Sequence, residues 1–157
     1  VALIDLKLVE EAGFFRRTLE CAVVKLVCEK AAVKELSDDF VLALKANLNQ
    51  QDFYLENPTP DKLMELDNEF HHLLFSCVDK ERCYRMCCDM GIHFDRIRHL
   101  ALHTVKELKI VGDHHDILSA ICACDADRAY ALMAAHLTRF EIDEKLIKNE
   151  YPEYFVN

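Results

Sequence analysis

The sequence predicts an all-α protein, an antiparallel bundle of about six to seven helices. One observation is the scarcity of turn formers: the 157 residues include only three Gly and three Pro, which favours long helices over a turn-rich β architecture. A second is that apolar residues recur at helical spacing in nearly every segment. Hydrophobic residues at 52% and charged residues at 30% describe one globular domain over residues 1–157 with a substantial core.

The first three helices have recognisable beginnings. A long first helix is predicted from Leu3 to about residue 33. Ser37 is a good N-cap for a second helix that reaches about residue 56. Thr59 as N-cap and Pro60 at the first helical position then open the third.

The second half of the chain predicts three further helices. The fourth runs from Asp79 to about residue 103 and is weakened at Gly91. The fifth runs from Lys106 to about residue 123, and the sixth begins with Asp125 as its N-cap and reaches about residue 149. Short connections make neighbouring helices mostly antiparallel.

Composition excludes several classes of protein. The formal net charge of −9, from 28 acidic and 19 basic residues, repels phosphate backbones and argues against direct nucleic-acid binding. No apolar run is long enough for a membrane span, and the start does not resemble a signal peptide. Eight Cys without a Cys-x-x-Cys pair argue against a zinc–thiolate site and for a reducing cytoplasm. Because no initiating Met is present, the chain is expected to be a fragment of a longer protein.

Arg16 and Glu20 lie four residues apart beside the apolar face of the first helix. Side chains at this spacing meet on a helix surface. From the residues alone, the simplest interpretation is a surface ion pair of little energetic weight.

The segment LMELDNEFHHLLF, residues 63–75, turns polar groups toward the core. Its apolar stripe includes Asp67 and His71, which lie one above the other on a helix. A buried carboxylate must be paired, protonated or bound to a metal. The sequence therefore predicts either a metal site or a hydrogen-bonded Asp–His pair in the core.

Two more histidines lie on inward faces: His114 in the fifth helix and His136 in the sixth. Three imidazoles and one carboxylate suit a divalent Zn, Ni, Co, Fe or Mn ion and suit Ca or Mg poorly. The adjacent His72 and His115 are expected to face elsewhere, because neighbouring helical side chains are rotated by about 100°.

These motifs resemble the FCD domain, the C-terminal effector-binding domain of FadR-subfamily GntR transcription regulators. The resemblance includes Asp-x-x-x-His in LDNEFHHLL, then DHHDILSAI and DADRAYALMAAHL, and it extends over about residues 10 to 140. RRTLE is similar to the Arg-containing segment of the family's first helix, and RIRHLAL to the Arg-bearing end of its fourth.

The resemblance implies a helical bundle with a central cavity that holds a divalent metal and a small organic acid. The domain is expected to bind this acid without altering it chemically. The implied metal ligands are Asp67, His71, His114 and His136. The implied effector-binding residues are Arg16 and either Arg98 or Arg96. A homodimer is implied as well, and DNA contact only through an N-terminal winged helix-turn-helix domain that this chain lacks.

Other interpretations remain open from the residues. His115 and Asp116, with His71 or His72, faintly resemble metal-dependent HD phosphohydrolases, which would make the protein an enzyme. Glu69-x-x-His72 is one Glu-x-x-His motif, whereas a di-iron bundle requires two. A purely structural dimerisation bundle without a ligand is the third alternative.

Overall fold

Helices account for nearly all regular structure in the computed structural model, which describes residues 3–104, 109–139 and 147–156. The predicted all-α class is thereby confirmed. The helices are α1 (Leu6–Ala32), α2 (Asp38–Glu56), α3 (Pro60–Cys77), α4 (Glu81–Met90), α5 (Ile92–Thr104), α6 (Ile110–Cys122) and α7 (Ala126–Leu137). A 3₁₀ turn, Pro152–Tyr154, follows near the end of the chain. No helix in the described ranges has the length and apolarity needed to cross a bilayer.

Helix α1 is the element on which the bundle is assembled. It contacts α3, α4, α5, α6 and α7, while α2 packs against α3 and α6. Ser37 and Asp125 cap their helices as predicted, since their side chains accept from the backbone N–H of Phe40 and Arg128. Thr59 occupies the N-cap position of α3, but its hydroxyl donates to the Asn57 carbonyl instead.

The predicted fourth helix is wrong in two respects. It is two helices, because α4 ends at Met90 with Gly91 as its C-cap, and α5 begins at Ile92. Asp79 does not cap it: with φ of 57° it lies in the left-handed region and ends α3, and the N-cap is Lys80. The backbone N–H of Lys80 reaches back to the Phe75 carbonyl, which terminates α3 before α4 can start.

Parts of the last two predicted helices lie outside the described residues. Lys106, the predicted start of the fifth helix, lies outside them, and α6 begins at Ile110. The sixth helix ends at Leu137 rather than near residue 149; residues 140–146 lie outside the described ranges, and residues 147–150 are again helical.

Two apolar clusters hold the helices together. The larger one includes Phe70, Leu74 and Ile117 and surrounds the inward-facing histidines. The smaller one joins α5 to both ends of the described chain. There Ile4 and Phe155 form a parallel bridge, in which the Ile4 N–H donates to the Tyr154 carbonyl at 2.6 Å. The C-terminal tail thus docks on the residues that precede α1.

Candidate metal centre

The structure brings Asp67, His71, His114 and His136 together. Each offers one ligand atom, and the four atoms lie within 4.8 Å of one another. The Nε2 atoms of His71 and His114 each lie 3.2 Å from Nε2 of His136. Oδ1 of Asp67 lies 3.4 Å from Nε2 of His114 and 3.9 Å from Nε2 of His71. The predicted ligands therefore converge on a single point between α3, α6 and α7.

Local packing positions these side chains. Asp67 and His71 lie on successive turns of α3, so their side chains point to the same side of the helix. The ring of Phe70 stacks on that of His114, with centroids 4.0 Å apart and planes 17° apart. All four ligand residues are buried. The apolar surroundings keep water from screening their charges.

Each imidazole also meets an oxygen through its other nitrogen, Nδ1. The pairs are His71 with Glu20 Oε2, His114 with Gln51 Oε1 at 2.9 Å, and His136 with Asp113 Oδ2 at 3.3 Å. Such partners fix the ring orientation and tautomer of metal-binding histidines. An uncharged imidazole whose Nδ1 donates to such an oxygen presents a bare Nε2 lone pair to the common point.

This donor set fits a divalent metal. Three Nε2 lone pairs and a carboxylate oxygen within 4.8 Å of one another repel each other unless a cation or a proton lies between them. Nitrogen-rich ligation with one oxygen suits Zn, Ni, Co, Fe or Mn. Asp67, His71, His114 and His136 are therefore the residues that could hold such an ion.

The protonation states agree with a ligand role. Burial lowers the pKa of His71, and lowers that of His114 further, so both rings are neutral near pH 7. Burial alone would raise the pKa of Asp67, but the Arg98 charge and the three neighbouring imidazoles together outweigh burial and place this pKa well below the ordinary value. Asp67 is therefore ionised.

Arg16 and Glu20 form a buried pair beside His71. Their Nε–Oε1 separation is 2.5 Å, and the residues are 7% and 2% exposed. The interpretation as a surface ion pair is therefore wrong; periodicity alone could not place the pair because the covering helices come from distant sequence. Burial would raise the pKa of Glu20, but Arg16 and His71 lower it to about 2.

The three candidate effector-binding arginines differ in position. Arg98 donates to Asp67 Oδ2, and also to Asn68 Oδ1 at 3.0 Å and to Asp95 Oδ1 at 2.6 Å. The guanidinium carbons of Arg16 and Arg98 lie 5.2 Å and 6.0 Å from the Phe94 ring centroid. Arg96 is half-buried, and among the described residues it has no such link to the four ligands.

The neighbouring histidines face away from the centre. His72 is exposed and stacks on Tyr84 with ring centroids 4.6 Å apart. His115 is exposed and lies 3.0 Å from Asp52. Asp116 and Glu69 are exposed as well. The structure thus does not assemble the residues that an HD phosphohydrolase or a di-iron bundle would use.

Sequence reasoning missed the polar partners of the imidazoles. Asn47 and Gln51, 2% and 1% exposed, interrupt the apolar stripe of α2 beside Leu44 and Leu48. Polar residues at these inward positions could have indicated buried hydrogen-bond partners from the sequence alone. Asp113, which accepts from Arg139 as well as meeting His136, gave no comparable signal, because an Asp in the first turn of a helix is common for its charge alone.

The chain is similar to known transcription regulators. A sequence model of the FCD domain matches residues 11–139. The HTH-type transcriptional repressor RspR of Escherichia coli is 27% identical over 153 residues, which cover 97% of this chain and 65% of the repressor. The uncharacterized HTH-type transcriptional regulator YdfH of Shigella flexneri matches to the same extent. This chain thus spans about 65% of the length of these relatives. It belongs to the FCD domain family.

Proposed function

We propose that this chain is the metal-containing, organic-acid-sensing domain of a GntR/FadR-type transcription regulator. One divalent transition metal is held by Asp67, His71, His114 and His136. A small carboxylate-bearing effector binds beside it and is not chemically altered. The relatives are described as regulators, which supports binding rather than catalysis.

The observation that carries this proposal is the convergence of three Nε2 atoms whose Nδ1 partners are all oxygen acceptors. A hydrogen-bonded core cluster would place donors opposite acceptors. If each Nδ1 donates to its oxygen partner, three Nε2 acceptors face one another around an ionised carboxylate. A cation resolves that repulsion, and a divalent ion whose coordination number exceeds four would keep a position for an effector carboxylate beside the four protein ligands.

Arg98 is the arginine best placed to respond to an effector. Its contact with Asp67 is buried, whereas its second partner, Asp95, has a side chain that is 41% exposed. An incoming carboxylate would replace Asp95 on Nη1 more readily than it would replace Asp67. Arg16, whose Nε donates to Glu20, contributes a second positive charge, 5.2 Å from the Phe94 ring centroid.

The function of the whole protein follows from the same proposal. The chain carries a net charge of −9, so DNA would be contacted by a separate basic winged helix-turn-helix domain. The sensing domain would form a homodimer in the cytoplasm. Binding of the effector would alter the relation between these parts.

Elemental analysis tests the metal. Protein purified without added metal is expected to contain about one transition-metal ion per chain, and His136→Ala or Asp67→Ala should lose it. His72→Ala is the matched control, because this exposed ring adjoins a ligand without facing the centre. Wild-type protein without bound metal that also fails to take up Zn²⁺ would overturn the proposal.

A ligand panel tests the effector. Dicarboxylates, hydroxy acids and sugar acids are added to the metal-loaded protein, and the melting temperature is followed, since a ligand stabilises the state that it binds. At least one acid should raise the melting temperature of wild type but not of Arg98→Gln. Equal shifts in both proteins would contradict the role of Arg98.

A further inference from the structure

A line of buried hydrogen bonds runs from His114 across α2 to the protein surface. Nδ1 of His114 lies 2.9 Å from Gln51 Oε1, and Gln51 Nε2 donates to Asn47 Oδ1 at 2.6 Å. Asn47 Nδ2 donates to Glu69 Oε2 at 2.8 Å and to the Leu66 carbonyl at 3.0 Å. Asn47 and Gln51 are almost wholly buried, whereas Glu69 is exposed.

The acceptors at the outer end, Glu69 Oε2 and the Leu66 carbonyl, determine which group donates and which accepts along this line of hydrogen bonds. A carboxylate and a backbone carbonyl can only accept hydrogen bonds. Both partners of Asn47 Nδ2 are of this kind, so the Asn47 amide cannot be turned around. Asn47 Oδ1 must therefore face Gln51, and it accepts from the Gln51 NH₂ group.

The same logic carries inward to the imidazole. Because the Gln51 NH₂ group faces Asn47, Gln51 Oε1 must face His114. An amide oxygen can only accept, so His114 Nδ1 must carry the proton and donate it. The lone pair of the neutral ring is then on Nε2, 3.2 Å from His136 Nε2 and 3.4 Å from Asp67 Oδ1.

We infer that Gln51, Asn47 and Glu69 are positioning residues that hold His114 in the Nδ1–H tautomer and so keep its Nε2 available to a metal. Gln51 is a neutral amide, whereas the corresponding partners of His71 and His136 are the carboxylates of Glu20 and Asp113. The Gln51 amide thus orients His114, and Asn47 and Glu69, which are not among the four candidate ligands, determine which way that amide faces. The statement about the tautomer stands without the proposed function; its consequence for metal affinity rests on it.

The direct test is long-range ¹H–¹⁵N correlation NMR of the imidazole nitrogens in chelator-treated protein. Wild-type His114 is expected to be the Nδ1–H tautomer. Gln51→Met removes the acceptor at similar size, and the tautomer should become mixed or change to Nε2–H. Gln51→Glu restores an oxygen acceptor and should restore the Nδ1–H tautomer. Gln50→Met, at the adjacent exposed position, should leave His114 unchanged.

The second readout is the affinity for Zn²⁺, measured by competition with a chromophoric chelator. Loss of a hydrogen-bond partner behind a ligand typically costs 10- to 100-fold in metal affinity, and Gln51→Met should lose about that much. An Nε2–H tautomer in wild-type protein would overturn the inference even if Gln51→Met failed to fold. Wild-type Nδ1–H together with no Zn²⁺ binding would leave the positioning role intact and would reject the metal proposal instead.

Discussion

Arg98 of α5 donates a hydrogen bond to one oxygen of Asp67, and the other oxygen of Asp67 faces the imidazoles. This arrangement leaves one carboxylate oxygen free for a metal and anchors the other. The Arg98 side chain is 14% exposed and that of Asp67 is 10% exposed. An ion pair this well shielded responds strongly to the loss of one partner.

We expect Arg98→Gln to lower the affinity for Zn²⁺ by roughly tenfold or more, in line with the effect of other partners behind metal ligands. The physical reason is that Asp67 loses both its anchor and the positive charge that keeps it ionised. Arg96→Gln, two residues away on α5 and without a link to Asp67, is the matched control. Equal losses in the two variants, measured by chelator competition, would contradict a specific role for Arg98.

Metal removal should destabilise the protein. Zn²⁺ at 100 times its dissociation constant stabilises the folded state by about 2.7 kcal/mol, which raises the melting temperature of a domain of this size by roughly 5–11 °C. Calorimetry with Zn²⁺ and with chelator measures the difference. His136→Ala should show little shift and His72→Ala the full shift; a full shift in His136→Ala would place the ion elsewhere.

We expect Arg16 and Glu20 to stabilise the folded state only when both side chains are present. Glu20→Met leaves the Arg16 guanidinium buried without its partner, which costs about 3–5 kcal/mol. Arg16→Met leaves the Glu20 carboxylate buried without its Arg16 partner and is destabilising for the same reason. The double variant should be less destabilised than the sum of the two single variants, as urea unfolding of metal-free protein would show. Strict additivity would mean that the two side chains do not interact in solution.

The cysteines should fall into separate reactivity classes. The exposed thiols are Cys88, Cys122 and Cys124, whereas Cys21, Cys28 and Cys87 are buried. Burial raises the pKa of Cys21 and Cys28 to about 11 and that of Cys87 to about 12. Few thiolates therefore form at these positions at pH 8, and only thiolates react.

Timed alkylation at pH 8 followed by peptide mass spectrometry distinguishes these classes. The exposed thiols should be modified first, and the buried ones only after denaturant is added. Cys88→Ser should remove one rapidly reacting thiol and change nothing else. Early modification of Cys87 would show that α4 opens from the bundle.

Helical periodicity was sufficient to choose between adjacent histidines. His71 and His114 share the spacing of the apolar residues around them, and both are buried, whereas His72 and His115 are exposed. Caps that act within one turn were also readable, as Ser37 and Asp125 demonstrate. Asp79 was misread because its left-handed backbone depends on how α3 ends and α4 begins.

The amino-acid sequence by itself determined the helical class, the inward faces, and the identity of one carboxylate and three imidazoles that share them. These features depend on residues within a few turns of one another. Only the tertiary structure decided that Arg16 and Glu20 are buried, that Arg98 anchors Asp67, and that Gln51 orients His114. Each of those contacts except Arg16–Glu20 joins residues at least 31 positions apart, and the burial of that pair depends on helices packed from other parts of the chain. Hydrogen bonds of this kind follow from how helices pack, and local periodicity can place a polar residue on an inward face without identifying the partner that it meets.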